Sequence, residues 1–283
     1  MIIPSRKITT LGLLLALLLA GTACNNDPPP VKPIVVATQT QPQTDQTQAK
    51  RTPLGKNVYF EIDKQTGQRR VIVSSTVVLR EGQLEGFLTI SHAGNDAKTH
   101  EYILSTTGDA LEIHNALIAA KAVAGSPVMF GKDRQYKPAS GSTIKVSVQY
   151  KQRDGKLVTV PAQNWIRNSI TKKPFEHDWV FGGSRLIPDP ENPNRPPFYE
   201  ANIGDVICVC NMPSAMLDIT VLNPNSEPES RVFQAFTERI PPLGTRVDII
   251  LEPVPGKEDK NKDKPQAENK ESSESKDPPK DKE

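Results

Sequence analysis

Residues 143–160 have the sequence TIKVSVQYKQRDGKLVTV, and this stretch decides the predicted fold class. Two runs rich in β-branched and aromatic residues, 143–150 and 156–160, flank the turn residues Arg153-Asp154-Gly155. Asp-Gly readily adopts the positive φ angles that tight hairpin turns require. The stretch therefore predicts a β-hairpin.

The same apolar and polar alternation continues outward along the chain on both sides of this hairpin. It predicts further strands at residues 58–62, 70–79, 84–90, 101–105, 178–181, 205–210 and 245–252.

Only residues 109–124 change to a helical period, with Asp109 or Thr107 as the cap and Gly125 at the end. Shorter helical turns are predicted at residues 214–217 and 232–237. The expected fold is α+β, a mostly antiparallel sheet covered by one main amphipathic helix.

The first 23 residues have the order of an export signal. Arg6 and Lys7 precede an apolar run over residues 11–20, which is too short to span a bilayer. The segment that ends in Ala23-Cys24 resembles a bacterial lipobox, in which the cysteine is lipidated and becomes the new N-terminus. Small residues before Cys24 also suit ordinary signal peptidase, so simple secretion is the alternative.

Both ends of the chain lack the apolar periodicity that a core requires. Residues 24–55 are rich in Pro, Gln and Thr and predict a disordered linker, and residues 256–283 predict a disordered charged tail. One globular domain is expected over residues 56–255. The net charge of +2 and the mixed signs of the tail give no reason to expect a nucleic-acid partner.

Several stretches of residues 57–252 resemble the YdjY-type domain, a family of exported bacterial proteins. They are THE at 99–101, IH at 113–114, GSPV at 125–128, DWVFGGS at 178–184, GDVICV at 204–209 and AMLD at 215–218. The resemblance implies a domain boundary and no catalytic residues. Some relatives carry a ferredoxin-type label, but Cys208 and Cys210 are too few thiolates for a four-iron cluster, so none is expected.

Cys208 and Cys210 lie two residues apart on a predicted strand, so their side chains share one face. Together they could bind a metal or form a strained disulfide. The favoured interpretation is that both are free, buried thiols within an apolar strand.

Three histidines are further metal candidates, because each has a carboxylate near it in sequence or lies on the helix. They are His100, His114 and His177. Their spacings match no standard ligand motif, so a shared metal site is the less favoured interpretation. Ser184 follows two glycines, but the Gly-x-Ser-x-Gly elbow of hydrolases is absent, and a turn explains the glycines.

The proline-rich stretch at residues 188–197 predicts a stiff, exposed loop. Trp179, Phe198 and Tyr199 are candidate aromatic anchors of a binding surface beside it. A long structural crossover is the favoured interpretation of this loop.

The function predicted from these features is non-enzymatic binding or scaffolding by a lipid-anchored protein of the cell envelope. Its expected partners are a membrane, held through Cys24, and an envelope protein. Asn25 directly after this cysteine favours the outer membrane. The alternative is a metal or redox enzyme that uses Cys208, Cys210 and the histidines, although the sequence identifies no cofactor.

Overall fold

A computed structural model describes residues 50–64, 66–91, 98–131, 135–223 and 231–255, and most of its strands form one eleven-stranded sheet. In chain order the described strands are β1 Thr52–Gly55, β2 Val58–Ile62, β3 Arg69–Val77, β4 Gly86–Ile90, β5 Tyr102–Thr106, β6 Met129–Phe130, β7 Tyr136–Lys137, β8 Thr143–Lys151, β9 Leu157–Pro161, β10 Ile166–Asn168, β11 Trp179–Phe181, β12 Leu186–Ile187, β13 Phe198–Tyr199, β14 Ile207–Cys208, β15 Leu217–Ile219, β16 Phe233–Ala235 and β17 Arg246–Pro253.

Eight strands of the main sheet close into a barrel in the order β3-β17-β8-β11-β15-β14-β4-β5, and β5 pairs back with β3. Strands β1, β2 and β9 extend the sheet outside the barrel. The predicted α+β class is wrong, because strands make up 41% and helices 11% of the fold, which is therefore mostly β. Two strand pairs, β4–β5 and β14–β15, are also parallel.

Closure depends on the length of strand β3, one edge of which serves two partners. Residues 69–73 of β3 pair with β2, whereas Thr76 and Val77 pair with β5. The opposite edge of β3 pairs with β17. Alternation in the sequence predicts that β3 is a strand, but it carries no information on this division between two partners.

The predicted hairpin is confirmed as β8 and β9. Gly155 has a φ of 82°, and the Gln152 amide donates to the Lys156 carbonyl at 2.8 Å. Alternate residues of β8, including Val146 and Val148, are buried in the barrel core with Ile249 and Leu251 of β17. The period of two in the sequence therefore identifies the inward face correctly.

The one long helix of the described residues, α1, spans Ala110–Ala119. Asp109, one of the two predicted caps, caps its N-terminus, because its Oδ1 accepts from the Leu111 amide at 2.7 Å. The helix was predicted to continue to residue 124, but it ends at Ala119. Shortly after this end, Lys121 adopts a φ of 73°, which is outside the helical range. Ile113 and Leu117 pack into the core.

Other predicted boundaries differ from the structure. Residues 233–235 form strand β16, paired with β10, where a helical turn was predicted. The predicted helical turn at residues 214–217 leads instead into strand β15. Strand β1 lies in the last four residues of the predicted linker. The export signal with Cys24, residues 25–49 and the charged tail lie outside the described residues.

Across the described ranges, no helix is long and apolar enough to cross a membrane.

Candidate functional site

Both cysteines of the described domain are free thiols with fully buried side chains. Cys208 lies on β14 and Cys210 two residues later, in a small cluster with Tyr102 and Met212. Burial raises the pKa of Cys210 to about 12 and that of Cys208 well above its ordinary value. Because the thiolate is the nucleophile and the metal ligand, neither cysteine is primed for such chemistry.

The three histidines contact different parts of the molecule. The exposed His100 lies 3.4 Å from Glu101, whereas the ring of His177 packs against Phe175 and Phe233. Throughout residues 50–255, apart from the short gaps in the description, no group of three His, Cys, Asp or Glu side chains could hold a metal ion.

His114 on α1 is held in a hydrogen-bonded chain. The Tyr199 hydroxyl donates to the Gly183 carbonyl at 2.8 Å and lies 2.9 Å from His114 Nδ1. Since the phenol has a single hydrogen, the Tyr199 oxygen must accept from Nδ1–H. Burial lowers the pKa of His114, so the imidazole is neutral and serves as a structural donor.

The predicted aromatic anchors do not form one surface. Trp179 is buried and donates its indole N–H to the Cys208 carbonyl at 2.8 Å, and Tyr199 is buried as well. Only Phe198 is exposed, at 48% of its surface. It borders a groove of about 560 Å³ between the proline-rich loop and the start of α1, together with Leu111 and Ile187.

The Ser184 hydroxyl is hydrogen-bonded to no histidine or carboxylate among the described residues. It donates to the Ser214 carbonyl at 2.6 Å, and the Ser184 backbone has a φ of 53°. The residue therefore closes a turn after β11, as the paired glycines before it indicated.

A buried polar cluster forms around Asp205 and was not predicted from the sequence. We call it the Asp205 cluster, and it consists of Lys98, Tyr102, Asp205, Cys208 and Ser214. Asp205 Oδ1 accepts from Lys98 Nζ at 2.5 Å and from the Tyr102 hydroxyl at 2.8 Å, and its Oδ2 accepts from Ser214.

Because the phenol hydrogen goes to Asp205, the Cys208 thiol, 3.5 Å away, donates to the phenol oxygen. Gly86 makes room for this arrangement, since a Cβ there would clash with the Tyr102 ring. Each member except Lys98 is buried, and every polar group has a partner. The Asp205 cluster therefore ties β5 to β14 and the turn before β15, and it has no free group for a substrate.

Asp218 on β15 is buried beside this cluster. Its Oδ1 accepts from the Ile219 amide at 2.7 Å and its Oδ2 from the Met212 amide at 3.3 Å. Burial outweighs these hydrogen bonds and raises the pKa of Asp218 to about 7.

A second concavity, larger than the groove beside Phe198, is open and chemically different from the Asp205 cluster. We call it the hydroxyl cleft, a depression of about 800 Å³ on strands β2, β3, β5, β8 and β17 and the start of β9. Its lining includes Asn57, Tyr59, Ser74, Ser75, Thr76, Val78, Ser91, Ser105, Thr106, Thr107, Gln149, Tyr150, Lys151, Leu157, Thr245, Arg246, Val247 and Asp248. Hydroxyl and amide side chains therefore dominate this surface, and its described lining residues include no histidine or cysteine.

Part of this lining is already engaged in hydrogen bonds. Ser74 Oγ donates to Asp248 Oδ1 at 2.8 Å, and Arg51 donates to the other oxygen at 2.6 Å. Sequence reasoning missed the cleft because its residues come from strands far apart in the chain.

A family model described as the YdjY domain matches residues 60–252 of this chain. No curated protein and no solved structure matches it.

Proposed function

We propose that this chain, which belongs to the YdjY domain family, is an exported envelope protein, anchored by lipid at Cys24, whose domain binds a ligand without catalysis. The hydroxyl cleft is the proposed binding site. The anchor fixes the domain to the exported side of a membrane, and the outer membrane is the proposed location.

The observation that supports binding is the distribution of reactive groups. The Cys208 thiol, the Asp205 carboxylate and the Tyr102 phenol are buried and bonded to one another. The Cys210 thiol is also buried and donates to the Leu84 carbonyl. The open cleft presents hydroxyls and amides, which hold ligands by hydrogen bonds but are poor acids and bases near neutral pH. This distribution favours a binding domain over an enzyme.

The support for anchoring is the leader itself. Arg6 and Lys7, the apolar run at residues 11–20 and the small residues before Cys24 follow the order of a lipoprotein signal. A lipid chain adds about 0.8 kcal/mol per buried methylene, so two or more chains hold a protein firmly at a membrane.

Mass spectrometry of the mature N-terminus tests the anchor. We expect a diacylglyceryl thioether on Cys24 in the native protein, and release of Cys24→Ala protein from the membrane fraction. An unmodified Cys24 at the mature N-terminus, or a mature chain that begins after Cys24, would show instead that the protein is secreted.

A thermal-shift experiment tests the cleft. Full-length protein in detergent is heated with the polysaccharide and small-molecule fraction of the envelope, and binding to the folded state raises Tm. We expect a rise of about 2–4 °C that the double variant Thr76→Val, Arg246→Gln loses and Thr220→Val, outside the cleft, retains. Equal shifts in all three proteins would place the ligand elsewhere, and no shift in any of them would contradict the binding function.

A further inference from the structure

The unpartnered polar groups of the hydroxyl cleft form a row across three strands. Thr76 of β3 is paired with Ser105 of β5 on one side and with Arg246 of β17 on the other. Neighbouring strands lie about 4.8 Å apart, so this row spans about 10 Å. It thus presents two hydroxyls and a guanidinium in line across the sheet.

These side chains have no hydrogen-bond partner among the residues that the structure describes. Ser105 is only 7% exposed, yet its hydroxyl lines the cleft. Polar groups this deep are normally paired with protein or water. A ligand with its own hydroxyls can supply both donors and acceptors to them.

Two tyrosines add aromatic surface to the same cleft. Tyr59 and Tyr150 both line it, and neither phenol is hydrogen-bonded to another described residue. The edge-on contact of Tyr150 with Trp165, at 5.6 Å between ring centroids, fixes this ring. An aromatic ring that also carries a hydroxyl suits a ligand with apolar faces and polar edges.

The charges in the cleft favour an anion. Asp248 is the one acidic residue among the described lining residues, and Arg51 neutralises it from 2.6 Å. Lys151 and Arg246 remain exposed in the lining. A guanidinium binds carboxylates in a two-pronged geometry, so Arg246 suits a ligand that carries carboxylate groups.

Other ligand classes fit this lining less well. An apolar ligand would cover Ser105 and Thr76 without satisfying them, at a cost of about 1–3 kcal/mol for each group. Two cations are few for a nucleic-acid backbone, whose binding grows with the number of phosphates neutralised.

We propose that the hydroxyl cleft binds an oligosaccharide with carboxylate-bearing units, an inference that rests on the proposed binding function. The sugar hydroxyls bond to the Ser105 and Thr76 side chains, the tyrosine rings contact the apolar faces of the sugar, and Arg246 binds a carboxylate. No bond is formed or broken, so this is a recognition site.

A glycan array of neutral and carboxylate-bearing oligosaccharides, probed with labelled full-length protein in detergent, tests the proposal. We expect binding to acidic glycans, and the best one is then titrated in solution. Arg246→Gln should raise its Kd about tenfold and Thr76→Val about threefold. The matched control Thr220→Val, on an exposed threonine outside the cleft, should leave the Kd unchanged.

The outcomes separate this inference from the function it rests on. One outcome is that no glycan binds, but the envelope fraction still raises Tm and the Thr76→Val, Arg246→Gln variant loses this rise. The ligand is then not a saccharide, and the binding function stands. If neither experiment shows binding, both are wrong. Equal binding of neutral glycans by the native protein and Arg246→Gln would overturn the carboxylate requirement.

Discussion

The Asp205 cluster and the hydroxyl cleft are both polar, but they differ in hydrogen bonding. The side chains of the cluster bond to one another, whereas some hydroxyls of the cleft have no partner among the described residues. In the cluster, Lys98, Tyr102 and Ser214 all donate to one buried carboxylate. In the cleft, Thr76 and Ser105 face an open depression without a partner in the described part of the chain. The comparison teaches that chemically reactive residue types stabilise this fold, whereas unreactive hydroxyls are left available for a ligand.

The largest expected effect comes from removing the centre of the cluster. Asp205→Ala leaves the Lys98 ammonium, the Tyr102 phenol and the Ser214 hydroxyl without their acceptor. Two buried hydroxyls and a partly buried ammonium then lack their acceptor, at a cost of about 1–3 kcal/mol for each buried group. We expect the free energy of unfolding, from urea titration, to fall by about 3–5 kcal/mol. The control Asp178→Ala removes an exposed carboxylate of the same type and should cost less than about 0.5 kcal/mol. Equal losses in the two variants would show that the cluster is not a structural centre.

A smaller effect is expected from pH. Burial raises the pKa of Asp218 from 3.8 to about 7, so the folded state binds this proton more tightly than the unfolded state. The stabilisation from protonated Asp218 is complete below about pH 4 and is lost as pH rises to about 7, by at most about 1.4 kcal/mol per pH unit.

Asp218→Asn should remove this loss, as seen in urea midpoints measured from pH 4 to pH 8. His114, whose pKa burial lowers, titrates with the opposite effect on stability and is common to both proteins. The difference between wild type and variant therefore isolates Asp218. A difference that does not change with pH would contradict burial as the cause of the shift.

The smallest effect on stability is expected in the cleft. Thr76→Val keeps the shape and β-branching of the side chain and removes a hydroxyl that has no partner in the described structure. We expect the free energy of unfolding to change by less than about 0.5 kcal/mol, as in Thr220→Val. A loss above 1 kcal/mol would mean that the Thr76 hydroxyl supports the fold, and the contrast between cluster and cleft would disappear.

Local features of the chain were predictable from its sequence. Alternation identified β8, β9 and the inward face of β17, and Asp109 marked the start of α1, because these depend on neighbouring residues. Residues 233–235 were wrongly placed in a helical turn, since short apolar runs fit both periods. They pair instead with the distant strand β10.

Features that depend on distant pairing were not predictable. Barrel closure requires Val77 to meet Leu104, and the row in the cleft requires Thr76 to meet Arg246. Nothing near these residues in the sequence encodes their partners. Likewise, Trp179 was a candidate anchor of a surface beside the proline-rich loop, but its strand lies between β8 and β15, which buries it.

The position of β17 between β3 and β8 affects when the molecule can fold during its synthesis. The ribosome completes residues 246–253 last among the barrel strands, yet they join one of the earliest strands to the middle of the chain. The nascent polypeptide therefore cannot close its barrel until residues 246–253 have been synthesised and have left the ribosome. Closing a loop of this length makes folding slow relative to proteins with mostly local contacts. The barrel must thus remain open until this strand is available to pair with β3 and β8.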